Sequence, residues 1–254
     1  IIRVSHILQK HIYGQKQHDF DTYCYKPNYF NDNLSIDLPI FIIHGNHDDP
    51  SGLENFSSID IFSGKEVNYF GKINNYEQFD LYPILFVKGD TRIAVYGIGN
   101  IKDERLYIAL KNKKAKFNRP EDPEKYFNIL VVDQNRNKGH YTNKSRKNYL
   151  PESYIPSFID LVIWGHEHEC FTQPVRNEEM GFYIYQPGSS VATSLIGAEA
   201  KTKHVGILEV QDSNFRINPI KLETSRPFIY QNFELKNFNI SSSEDIERLL
   251  TEKI

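Results

Sequence analysis

The sequence predicts an α/β fold, and three observations carry that reading. Ile40 to Ile43 and Leu161 to Trp164 are short continuous apolar runs, and Phe127 to Val132 is nearly one. Runs of that length, closed by turn residues, read as strands buried in a sheet. Asp103 to Leu110 reads as a helix, so strand and helix alternate. Finally, two of the runs end in polar bursts. His44-Gly45-Asn46-His47-Asp48-Asp49 follows the first, and Gly165-His166-Glu167-His168-Glu169 follows the last. Ligands of open α/β sheets gather at the carboxyl ends of strands. Imidazoles, an amide and carboxylates crowded there are costly unless paired or bound to an ion.

Along the chain, Ile1, Val4, Ile7, Leu8 and Ile12 recur at helical spacing, and Gly14 is a natural stop. Gln15 to Asp37 is polar and aromatic with little periodicity and reads as a long loop. After the first polar burst, Pro50, Ser51 and Gly52 turn the chain. Leu53, Phe56, Ile59 and Phe62 then recur at near-helical spacing, which predicts a short amphipathic helix. Strands follow at Leu81 to Val87 and Ile93 to Tyr96, and a helix at Ser153 to Phe158. Phe182 to Tyr185 reads as a further strand. Val205 to Val210 and Phe215 to Ile217 form a late hairpin, and Ser243 to Lys253 an acidic helix.

The 254 residues suffice for one sizeable core and a small appendage. A hydrophobic content of 39% with 25% charged residues is that of a globular protein. No apolar run approaches the roughly 20 residues of a membrane span. Cys24 and Cys170 allow one bridge, or two free thiols in a reducing compartment. The net charge of −3 does not mark a nucleic-acid binder. Local runs do: Lys111 to Arg119 suits a solvated face or a phosphate contact, and Asn135 to Lys147 lies beside a candidate ligand position, which favours phosphate.

The pair of motifs Gly45-Asn46-His47-Asp48 and Gly165-His166-Glu167-His168 resembles the calcineurin-like metallophosphoesterases. The longer strings IHGNHDDPSG, DERLY, DQNR, FIDLVIWGHEHEC, QPGSSVATSL and KHVG are similar to one branch, the nuclease subunits of eukaryotic Mre–Rad–Nbs complexes (the meiotic recombination eleven family). The likeness runs collinearly from about Ile1 to Glu223. It implies a metallophosphoesterase β-sandwich flanked by helices over residues 1–222. It also implies that the first strands are missing and that a capping, DNA-binding domain begins in 223–254.

The resemblance also implies the chemistry. Two-metal phosphoester hydrolysis needs carboxylate, amide and imidazole ligands. Two Mn²⁺ ions are expected in the complete protein, with Asn46, Asp133, His166 and His168 as ligand positions in this chain. His47 would meet the phosphate or protonate the leaving oxygen, with Asp48 fixing its tautomer. Because His166 and His168 are two apart, an extended backbone would aim both to one side. Asn135, Arg136 and His140 are expected to contact the DNA backbone. Tyr23, Tyr25, Tyr29 and Phe30, in a segment resembling a family insertion, would either receive an Nbs/Xrs-type partner or pack over the domain. Val4, Leu8, Leu53 and Phe56 would meet a second copy in a homodimer. A Rad-type ATPase and DNA complete the expected partners, and the nucleus the expected location.

Two departures from the family pattern matter. Asp133 stands where the family has His, and the family's upstream Asp-x-His and Gly-Asp motifs do not appear. The expectation is a parent DNA nuclease, exonuclease and endonuclease in double-strand-break repair and meiosis, whose fragment is inactive alone. A small-molecule phosphoesterase and a catalytically dead scaffold for dimerisation and partner binding are the alternatives.

Overall fold

The computed structural model describes residues 2–15, 18–137, 148–237 and 242–253. The chain opens with helix α1, Ile2–Ile12. Its last turn is tied down by Asp37 N and Leu38 N, which both donate to Ile12 O. Ser5 Oγ and Gln9 Nε2 both donate to Glu66 Oε1, at 2.9 and 2.8 Å. The expected loop of residues 15–37 contains strand β1, Asp21–Tyr23, and a 3-10 turn at Asn28–Phe30. Tyr29 is fully buried there, beside Ile12 and Ile36, and its hydroxyl is hydrogen-bonded to Thr22. Tyr29 is therefore a core residue and is withdrawn as a partner contact. Tyr23 and Phe30 are exposed and Tyr25 is half-buried.

The apolar run at Ile40 to Ile43 yields only a short strand, β2, Phe41–Ile42. It pairs in parallel with β3, Asn68–Tyr69, outside the main sheet, and is half-buried rather than central. The helix expected from Leu53 does not form. Gly52 and Asn55 both take positive φ, and Ser51 and Phe56 close a tight bridge instead. A 3-10 turn at Ser58–Ile61 follows, started by a Ser57/Asp60 capping box. Leu53 and Phe56 stay exposed, while Ile59 packs with Val67, Tyr69 and Leu8.

Pro83 splits the next expected strand in two, β4, Phe79–Leu81, and β5, Ile84–Lys88. A two-residue Gly89-Asp90 turn, with Gly89 at φ 57°, leads to β6, Thr91–Ile98. Helix α2, Asp103–Lys111, β7, Ala115–Phe117, and β8, Phe127–Asp133, follow. The helix expected at Ser153 is a single 3-10 turn, Glu152–Tyr154, flanked by Pro151 and Pro156. Then come β9, Leu161–Gly165, β10, Val175–Arg176, and β11, Tyr183–Tyr185. The hairpin of β12, His204–Gln211, and β13, Asn214–Lys221, is as expected, as is helix α3, Ser243–Lys253.

The main sheet runs β1-β5-β6-β8-β9-β11-β10, with β6, β8, β9 and β11 parallel. Alternating side chains of its central strands make the two layers. Leu130, Val132, Val162 and Trp164 face one way, into a core shared with Leu106 and Ala109 of α2. Phe127, Ile129 and Leu161 face the other way, under Leu208, Val210, Phe215 and Ile217 of the hairpin. Each fully buried side chain of this size contributes about 1.5–3 kcal/mol over leaving it in water. The parallel register Val132↔Trp164 and Ile98↔Val132 brings the carboxyl ends of three strands level, at one rim.

Candidate metal centre

Every polar burst reaches that rim, and glycines let the backbones close up. His44 sits where the β2 loop meets the end of β6: Asn100 N donates to His44 O at 3.0 Å. Its ring is buried against Gly99, where a methyl group would lie 2.0 Å from Cε1. Tyr69, its hydroxyl pKa pushed up to about 12 by burial, remains protonated and donates to His44 Nδ1 at 2.8 Å. Nε2–H then donates to Asn100 O at 3.1 Å. Burial also lowers the imidazole pKa, so His44 is a neutral buttress for the loop.

That buttress places Gly45 against Asp133, whose Oδ1 is 3.5 Å from where a Gly45 Cβ would be. Asn46 and His47 are exposed on the loop. Asp48 accepts from Ser58 Oγ at 2.7 Å through Oδ1, and its carbonyl from Ser57 Oγ at 2.6 Å. These bonds secure the turn. The expectation that Asp48 orients His47 is replaced by this role: no hydrogen bond between the two is present among the described residues.

Asp133 ends β8 and accepts from Asn100 Nδ2 at 3.1 Å. It faces His166 Nδ1 at 3.6 Å. That is a charge-pair distance, too long for a hydrogen bond, and Nδ1 is buried with no hydrogen-bond partner. The nearby Asp133 carboxylate raises the His166 pKa, against burial, which lowers it. The other ring nitrogen, Nε2, donates to Asn135 Oδ1 at 3.1 Å. Asn135 Nδ2 in turn donates to Asp103 Oδ2 at 2.7 Å, and burial raises the Asp103 pKa. The chain Asp103–Asn135–His166 thus fixes the ring and turns Nδ1 to the rim.

His166 takes φ 68°, uncommon for a residue with a side chain, and Glu167 N closes onto Gly165 O at 2.8 Å. The backbone is therefore not extended there, and the two histidines do not share one set of neighbours. His168 turns to a second pocket of polar groups. Its Nδ1 lies 3.0 Å from Glu199 Oε1 and 2.8 Å from Thr193 Oγ1. Glu199 is fully buried. Burial would raise its pKa, but donors from Thr193, His168 and Ser194 outweigh that and hold it well below the usual carboxylate range.

Two expected DNA contacts are corrected. Arg136 turns inward: Nε donates to Glu152 Oε1 and NH1 to Gln186 Oε1, both at 3.1 Å, with the guanidinium over the Trp164 ring. Its own N–H donates to Glu167 Oε1 at 2.9 Å. Asn135 is spent on the bridge just described. His140 lies outside the described residues. Reading the sequence missed Glu199, Asn100, Asp103 and Lys203. Asn100 carried a usable signal, a polar residue one glycine beyond the apolar end of β6.

The donors suit a hard or borderline cation. Carboxylate and imidazole 3.6 Å apart, one nitrogen buried and unpartnered, are within the span of two ligands sharing an ion at about 2.1 Å each. Asn46 lies on the adjoining loop. Among the described residues, no group of three or more His, Cys, Asp or Glu stands ready to hold an ion.

The mixed sheet with its polar rim is the scaffold of a phosphoesterase-type fold, and comparison with known proteins agrees. The family model described as calcineurin-like phosphoesterase matches residues 13–170. The chain belongs to that family. It is similar to the double-strand break repair protein MRE11 of Homo sapiens, 48% identical over 212 residues, covering 83% of this chain and 29% of that protein. It is also similar to the double-strand break repair protein mus-23 of Neurospora crassa, 45% identical over 204 residues, covering 80% of the chain and 27% of that protein. The Arabidopsis thaliana double-strand break repair protein MRE11 is 47% identical over 221 residues, covering 83% of the chain and 30% of that protein. The chain thus spans under a third of the length of these relatives.

Proposed function

We propose that the chain is part of a metal-dependent DNA nuclease that processes broken DNA ends. The observation that carries this is the buried, unpartnered His166 Nδ1 held opposite the Asp133 carboxylate. Its support is the similarity to proteins named for double-strand break repair. On this reading, Asp133, His166 and Asn46 contribute to one Mn²⁺ ion and His168 to a second. Such ions supply charge stabilisation and an activated water at a phosphodiester. His47, exposed on its loop, contacts the phosphate or protonates the leaving oxygen. The site works in the nucleus, within a homodimer built on Val4, Leu8, Leu53 and Phe56. A Rad-type ATPase and an Nbs/Xrs-type subunit, the latter at Tyr23, Tyr25 and Phe30, are its partners.

With two titratable ligands at the described centre, these 254 residues alone bind Mn²⁺ weakly and cleave DNA poorly. The test is paramagnetic broadening of the His166 ring signals by Mn²⁺, in wild type and Asp133→Ala. Selective broadening, at least tenfold weaker in the variant, is expected. His166 signals that stay sharp at millimolar Mn²⁺ would remove the reading. Nuclease assay of the full-length parent, against a panel of nucleotides, separates it from a small-molecule phosphoesterase.

A further inference from the structure

The structure assigns Glu199 as a positioning residue that fixes the tautomer of His168 and presents its Nε2 lone pair to the rim. The inference rests on His168 being a ligand, as proposed above, but its geometry stands apart from any ion. Glu199 has no exposed side-chain surface. Its Oε1 accepts from Thr193 Oγ1 at 2.7 Å, Ser194 N at 3.0 Å and Ser194 Oγ at 2.9 Å. Its Oε2 accepts from Thr193 N at 2.9 Å, Ser189 Oγ at 3.1 Å and Lys203 Nζ at 3.4 Å.

The Glu199 carboxylate 3.0 Å from Nδ1 favours one arrangement of protons in this cluster. An ionised carboxylate only accepts. The single Thr193 hydroxyl proton goes to Glu199, so toward His168 the Thr193 oxygen is also an acceptor. Both groups facing His168 Nδ1 therefore demand a proton on it, and the neutral ring must carry its free lone pair on Nε2. The backbone is gripped as well as the ring. Lys203 Nζ donates to His168 O at 3.3 Å and Ser189 N to the same carbonyl at 3.2 Å. Gly188, at φ 74°, leaves no room for a side chain against that carbonyl, where a Cβ would sit at 2.7 Å. Lys203, itself buried, compensates the buried Glu199 charge. An acidic residue 31 positions away thus acts through His168, as carboxylates behind metal-bound imidazoles do in general.

The experiment reads the tautomer directly, by ¹⁵N–¹H correlation of the His168 ring in metal-free protein above pH 8, in wild type, Glu199→Gln and Thr193→Val. Wild type is expected as the Nδ1–H form. Thr193→Val keeps it, because Glu199 still faces Nδ1 at 3.0 Å. Glu199→Gln, whose amide offers a donor as well as an acceptor, yields a substantial Nε2–H population. The variant also weakens Mn²⁺ broadening of His168 by 10–100-fold. A wild-type ring in the Nε2–H form overturns the assignment, whether or not the Gln variant folds. So does a folded Glu199→Gln with unchanged tautomer. If the tautomer responds as stated but Mn²⁺ never broadens His168, the positioning role holds and the metal reading of His168 fails.

Discussion

Replacing Gly99 by Ala tests whether His44 is the buttress that sets the first loop. The added methyl would stand 2.0 Å from His44 Cε1, 2.2 Å from Nδ1 and 2.7 Å from Nε2. Ordinary contact begins near 3.4 Å, so the ring must retreat by more than an ångström. It has nowhere to go, being buried and held at both nitrogens by Tyr69 and Asn100. Displacement breaks two hydrogen bonds at about 1 kcal/mol each. Overpacking strain adds about 1–3 kcal/mol. The sum, roughly 3–5 kcal/mol, corresponds to a fall in Tm on the order of 10 °C for a chain of this size. Urea unfolding followed through the single, fully buried Trp164 measures it. The Gly64→Ala control meets open space and carries only left-handed backbone strain, about 1–2 kcal/mol. His44→Ala in the Gly99→Ala background should recover part of the loss, because the clash partner is gone. A Gly99→Ala protein within 1 kcal/mol of wild type would refute the buttress.

Other outcomes follow from the same geometry. Arg136→Ala loses its contacts with Glu152, Gln186 and Trp164, so stability should drop by roughly 2–4 kcal/mol. The salt dependence of DNA binding should keep its slope; a slope reduced by about one would restore Arg136 as a phosphate contact. For His166 the folded pKa is raised, so its pairing with Asp133 stabilises fully below the unfolded value near 6.5 and fades as pH rises through the folded value. Asp133→Asn should remove that slope between wild-type and variant unfolding curves at pH 6 and pH 8, and parallel curves would contradict it. Lys203→Met strands the buried Glu199 charge and should cost about 3–5 kcal/mol, read by the same urea titration. Lys203→Met combined with Glu199→Met should be milder than Lys203→Met alone, and equal losses would argue against their coupling.

The sequence by itself determined the α/β class, the central strands and the two polar bursts at strand ends. Those features are local: apolar runs of β8 and β9 need no partner to be recognised, and histidines two residues apart are visible wherever the chain goes. Secondary structure failed where short-range geometry overrode periodicity. Positive φ at Gly52 and Asn55 cancelled an apolar spacing that looked helical after Leu53, and Pro83 cut one strand into two. Only the tertiary structure decided what each polar group touches. Arg136 lies in a basic stretch of sequence, yet Glu152 and Gln186, 16 and 50 positions away, draw it inside. Glu199 looks like any acidic surface residue, until the loop carrying it folds under His168 and Lys203 neutralises it. Hydrogen-bond partners and burial are set by contacts between residues far apart in the chain, and no pattern within one segment encodes them.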